Sequence, residues 1–194
     1  MPIAFTSGEP SGIGPDIAII HAQKEREDNL LVYCDPDVLI NRAKQLNFPI
    51  TLKENETRKA SELSIFPVKT DVSVDSGVLN PNNANYVLEI IRKATHNCLE
   101  GQCSGILTGP INKAIINQSG IEFSGHTEYL AELTNTPKTV MLLATNQLRV
   151  ALATTHLSLN DISKNITQES LTKIITIINN DFKYFGIKKP RILV

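Results

Sequence analysis

Short apolar runs that break at glycine or proline and pass directly into helical patterns constrain this chain most. Ile3–Thr6 reads as a buried strand, followed by Gly8-Glu9-Pro10-Ser11-Gly12-Ile13-Gly14 and then Pro15 and Asp16. Proline suits the first turn of a helix, where its missing N–H costs nothing, and an aspartate suits the positive helix end. Leu30–Cys34 predicts a second strand and Pro36–Leu46 a second helix, with Val38, Leu39, Ala43 and Leu46 on one face. A third strand is expected at 105–108, turned by Gly109-Pro110 into a helix at 112–118. Strand–turn–helix alternation points to an α/β protein with a mainly parallel sheet.

The remaining segments are read in the same way. Residues 51–74 alternate weakly and suggest strands and loops. Asn80-Pro81 caps a long helix carrying Val87, Ile90, Ile91, Ala94 and Cys98, ended by Gly101. Segments 138–144 and 148–154 predict a hairpin joined by Thr145-Asn146-Gln147. Thr167 begins a helix running to about Tyr184. The apolar 191–194 reads as the opening of a strand, which suggests that the chain is a fragment of a longer protein, a short edge strand at the carboxyl end being the alternative.

Bulk properties narrow the function. Hydrophobic residues make up 41% and charged residues 20% of 194, which fits a globular chain and not a disordered one. A net charge of −1 gives no general field for nucleic acid or an anionic membrane, though one basic pocket could still hold a phosphate. Apolar runs such as 140–144 and 150–153 are far too short to span a bilayer, and the amino terminus has no signal-peptide pattern, so a cytoplasmic protein is expected. Cys34, Cys98 and Cys103 have no metal-like spacing and read as small buried hydrophobes.

Four places could carry chemistry. The Gly8–Gly14 turn is neither a dinucleotide fingerprint nor a P-loop, so a structural turn and a binding loop both stay open, as do a solvated and a functional role for Glu9. Thr108-Gly109-Pro110-Ile111-Asn112-Lys113 follows the end of a strand, where open α/β sheets place ligands, and Lys113 could meet a phosphate or carboxylate or simply be solvated. In Ser124-Gly125-His126-Thr127-Glu128, His126 could carry a proton or donate a hydrogen bond. Thr127 could cap a helix or bind an anion. His156, after Thr154-Thr155, is a metal-ligand candidate that lacks sequence neighbours of its kind, and His21 and His96 read as bystanders.

Taken in order, Gly8 through Asp16, Leu107 through Lys113, Phe123 through Glu128 and Leu148 through Leu157 resemble the 4-hydroxythreonine-4-phosphate dehydrogenases of pyridoxine synthesis. The resemblance implies a two-domain α/β fold similar to that of isocitrate and isopropylmalate dehydrogenases, with residues 1–194 as its amino-terminal portion. It implies a homodimer with an interface active site and a phosphorylated small-molecule substrate. NAD or NADP and a divalent metal (Zn, Mg or Co) are the implied cofactors, and no residue is assigned to the nicotinamide. His126 and Thr127 match substrate-binding positions, His156 matches the first of three metal-binding histidines, and Lys113 is a candidate for charge balance or proton transfer. The implied reaction oxidises 4-phosphooxy-L-threonine to a β-keto acid that decarboxylates to 3-amino-2-oxopropyl phosphate. Related enzymes oxidise threonate or erythronate phosphates or cis-dihydrodiols, and a fragment with one metal ligand of three is expected to be inactive or only to bind phosphate ligands.

Overall fold

The computed structural model describes residues 1–155 and 157–194. The chain forms two compact units, residues 1–135 and 136–194.

In the first unit the elements are β1 (Ile3–Thr6), α1 (Gly14–His21), β2 (Leu30–Cys34), α2 (Pro36–Leu46), β3 (Thr51–Lys53) and β4 (Glu62–Pro67). A 3-10 turn (Pro81–Asn83) leads into α3 (Ala84–Leu99), β5 (Ile106–Thr108), α4 (Lys113–Gln118) and α5 (His126–Leu133). Among the described residues, five strands make one all-parallel sheet in the order β3-β4-β2-β1-β5. The expected parallel α/β architecture is present.

Period-two alternation divides each central strand between two cores. Phe5, Leu30, Val32, Cys34, Leu63 and Ile65 join Ala18 and Ile19 of α1 and Leu39 and Ala43 of α2 on one face. Ala4 and Tyr33 join Tyr86, Val87, Ile90, Ile91 and Ala94 of α3 on the other. Helices therefore cover both faces. Asn80 caps the 3-10 turn rather than the long helix expected from the sequence, its side chain accepting from Asn82 N–H at 3.0 Å, and α3 starts after Asn83 with no side-chain cap.

The sheet winds outward from β1 in both directions, to β2 through α1 and to β5 after α3. Loops leaving the carboxyl ends of β1 and β5 thus lie side by side, the usual place for a ligand in an open sheet. They are locked together. Glu9 N–H donates to Pro110 O at 2.9 Å and Gly109 N–H to Thr6 O at 2.7 Å. Gly8 has φ 71°, and a Cβ there would come within 2.2 Å of Pro110 O, so this crossing requires glycine.

In the second unit, β6 (Leu142–Ala144) and β7 (Arg149–Ala151) form an antiparallel hairpin, followed by α6 (Leu159–Asn165) and α7 (Gln168–Asp181). The hairpin is shorter than the sequence suggested, and α6 was not anticipated. Thr167 caps α7 through a reciprocal box with Ser170. Ile174, Ile178 and Phe182 pack with Val140, Leu142, Ala151, Ile187 and Ile192. The strand expected at 191–194 is absent: these residues have no regular structure, because no described segment offers them a ladder. No helix among the described residues is long and apolar enough to cross a membrane.

Candidate active site

The loop after β5 ends in Asn112, whose side chain accepts from Ile115 N–H at 3.1 Å and so starts α4. Lys113 is the first residue of that helix. A cation at the positive end of a helix gains nothing from the helix field, so helix stability does not explain a lysine here.

One turn later, Asn117 folds the chain back. Its amide nitrogen donates to Lys113 O at 2.9 Å and to Phe123 O at 3.1 Å, and its amide oxygen accepts from Phe123 N–H at 2.9 Å. The segment after α4 is thereby pinned along the helix, and Gly125 comes to lie under the Lys113 side chain. A Cβ on Gly125, whose φ is 156°, would sit 2.9 Å from Lys113 Nζ and 3.0 Å from Glu128 Oε2. Gly125 is buried, whereas Lys113 and Glu128 are exposed above it.

His126 is the first residue of α5 and is half-buried. Burial, and next the positive charge of Lys113, hold its pKa below the ordinary imidazole value. It is neutral at pH 7 and offers one donor and one acceptor. Its Nε2 is shielded from solvent and has no hydrogen-bond partner among the described residues. A buried polar atom left unpaired costs about 1–3 kcal/mol, so the site gains most from a ligand that supplies the missing bond.

Several expectations are corrected. Thr127 does not cap α5: it is the second residue of the helix, the cap position is Gly125, and no side chain caps this end. It is half-buried beside His126 in sequence. Glu9 is not solvated but 6% exposed, and its carboxylate accepts from Ser11 N–H at 3.2 Å and from Ser11 Oγ at 2.9 Å. With that carboxylate inside the turn and Pro15 lacking an N–H, the loop reads as structure. His21 and His96, read as bystanders, pair at the surface with Asp28 at 2.8 Å and Glu100 at 2.9 Å. His156 lies outside the described residues. Among those residues no three His, Cys, Asp or Glu side chains gather as a cation site, so the described side chains do not by themselves fit a divalent ion.

A second concavity, beside the start of α2, is lined by Asp35, Asp37, Arg42, Lys69 and Thr70. Its cations are paired: Lys69 Nζ lies 3.1 Å from Asp35 and 2.6 Å from Asp37, and Arg42 lies 2.7 Å from Asp16. In the group of Lys113, His126 and Thr127 the buried Nε2 of His126 is left without a partner among the described residues. The sequence did not single out Asn117 or Glu128, the residues that organise and border it. An asparagine one turn after the lysine, just before Ser119-Gly120, was the available signal.

Residues 26–194 match the family described as pyridoxal phosphate biosynthetic protein PdxA. The chain belongs to the PdxA family. It is 46% identical over 198 residues to a 4-hydroxythreonine-4-phosphate dehydrogenase of Saccharophagus degradans, covering 99% of this chain and 59% of the relative. A protein of the same name from Yersinia pestis is 46% identical over 199 residues, covering 99% and 60%. The crystal structure of 4-hydroxythreonine-4-phosphate dehydrogenase from Klebsiella pneumoniae superposes with a TM-score of 0.86 at 26% identity, over 98% of this chain and 60% of that one. A Burkholderia phymatum structure of that name has a TM-score of 0.85 at 24% identity and shows the shared fold. The chain thus spans about three fifths of the length of the PdxA relatives it matches.

Proposed function

We propose that this chain supplies the substrate-gripping part of an NAD- or NADP-dependent dehydrogenase that oxidises 4-phosphooxy-L-threonine in pyridoxal phosphate synthesis. The names of its relatives support the substrate, and the unpartnered Nε2 of His126 beside Lys113 is the observation that supports the place. In this reaction the secondary alcohol loses hydride from carbon to the nicotinamide and a proton from its oxygen, leaving a ketone. The β-keto acid so formed loses CO2 and gives 3-amino-2-oxopropyl phosphate.

The chain's own residues have roles that follow from their chemistry. Neutral His126 gives or accepts a hydrogen bond through Nε2 at a substrate oxygen, and Thr127 adds a hydroxyl from the same helix turn. Both fix orientation, which converts binding into reactive geometry. Lys113 offsets negative charge on a phosphate or carboxylate and is the candidate to hold or move a proton at Nζ. The resemblance assigns His156 to a metal shared with two further histidines. A bound divalent ion would act as a Lewis acid toward the substrate oxygens. A homodimer with an interface active site and a cytoplasmic location belong to the same proposal.

The test uses a chimera that joins this chain to the part of the Saccharophagus relative it does not span. NADH or NADPH should form with 4-phosphooxy-L-threonine and fall sharply with threonate phosphate, erythronate phosphate or a cis-dihydrodiol. Faster turnover of any of those three would replace the proposed substrate. The 194-residue chain alone should gain thermal stability with the phosphorylated amino acid yet reduce no nicotinamide.

A further inference from the structure

We infer that Asn117 and Gly125 are positioning residues: together they seat the Lys113 ammonium against His126. The inference rests on the reading of Lys113 and His126 as working residues, and it adds how the fold brings them together. Lys113 and His126 stand on different helices, thirteen positions apart, and α4 is only six residues long. Something must fix the reversal between them. Asn117 does so with three hydrogen bonds, satisfying Phe123 at both its N–H and its C=O while gripping the Lys113 carbonyl from one turn away. A single amide that serves three backbone groups sets distance as well as direction.

Gly125 completes the seat by lacking a side chain. The two atoms a Cβ would meet below 3.1 Å are the tips of Lys113 and Glu128, and neither is backbone. A methyl group there would displace these flexible side-chain ends. Filling the seat moves the Lys113 charge away from His126, and at φ 156° it also strains the backbone where α5 begins. Glu128, exposed on α5, borders the same seat and stands as the opposite charge at its rim.

The experiment follows the His126 imidazole by proton NMR in the 194-residue chain, its signal identified by its loss in His126→Asn. Lys113→Met should raise the titration midpoint, because a repelling cation is gone. Gly125→Ala should raise it too, and the double variant should rise no further than Lys113→Met alone, since both act through one charge. Asn117→Ser, which releases the reversal without filling the seat, should also raise it and covers the case in which Gly125→Ala does not fold. A midpoint unmoved by Lys113→Met overturns the inference, as does one unmoved by the folded Gly125 and Asn117 variants or shifts that add in the double variant. The reading of the site is judged separately by turnover of the chimera. Normal turnover in Lys113→Met with the midpoint raised would remove Lys113 from the chemistry and leave the seat intact.

Discussion

Arg42 reaches from α2 to the Asp16 carboxylate at 2.7 Å, and the same guanidinium donates to Gly12 O at 2.9 Å and Ser11 O at 3.3 Å. The turn between β1 and α1 is thus fixed by a residue twenty-six positions from its ion-pair partner. Its side chain is 8% exposed against 23% for Asp16, so the pair is largely desolvated. Removing the cation strands a carboxylate and three carbonyls, Pro10 O at 3.5 Å being the third. Arg42→Met is expected to cost about 2–3 kcal/mol, below the roughly 3–5 kcal/mol of a fully buried pair because Asp16 keeps some water. Urea unfolding of the first unit measures it.

Asp35 makes the acid side of stability testable. Burial alone would raise its pKa, but bonds from Thr70 N–H (2.8 Å), Asp37 N–H (2.9 Å), Lys69 (3.1 Å) and the Thr70 hydroxyl (3.0 Å) outweigh burial and hold it below the usual carboxylate value. The folded state therefore binds its proton less readily than the unfolded chain. This contribution is complete above the unfolded value of about 3.9 and is lost as pH falls through the folded one. Asp35→Asn should lower stability at pH 7 by about 1–3 kcal/mol and flatten the loss on acidification. Urea midpoints at pH 7, 5 and 3.5 check both parts.

His126 acts in the same sense, in a higher pH window. Its folded pKa lies below the ordinary value, so between the two the unfolded chain holds more protons. Stability should rise with pH across that window and level off above about 6.5. His126→Asn should remove this rise. Thermal unfolding from pH 5 to 7.5 compares the two proteins.

In the second unit, Thr167→Ala removes one half of a capping box: Thr167 Oγ1, which accepts from Ser170 N–H at 3.1 Å, is lost, whereas the backbone N–H at 167 that donates to Ser170 Oγ at 2.9 Å stays. A loss of about 1 kcal/mol is expected for α7. Hydrogen exchange of the amides at 168–172 reports it, and exchange in α3 should stay unchanged.

What the sequence revealed follows the range of the forces involved. β1, β2 and α2 stand where the local pattern puts them, because apolar period and proline placement act within a few residues. The segment 191–194 looked like a strand by composition and is not one, since a ladder needs a neighbour that composition does not supply. Tyr86 is further from local reading: its hydroxyl bonds Ser7 Oγ at 3.0 Å, seventy-nine positions away. The motif around His126 was visible as residue types. Its loss of solvent and its neighbour Lys113 were not, because both depend on the fold-back that Asn117 creates.

The most direct measurement is calorimetric binding of 4-phosphooxy-L-threonine to the 194-residue chain and to His126→Asn. Asparagine keeps a polar group near the Nδ1 position and deletes the Nε2 atom that stands unpartnered. Binding by the unsubstituted chain and about tenfold or weaker binding by the variant, equivalent to roughly 1.4 kcal/mol, is the expected result. Equal affinity in the two folded proteins would contradict the account.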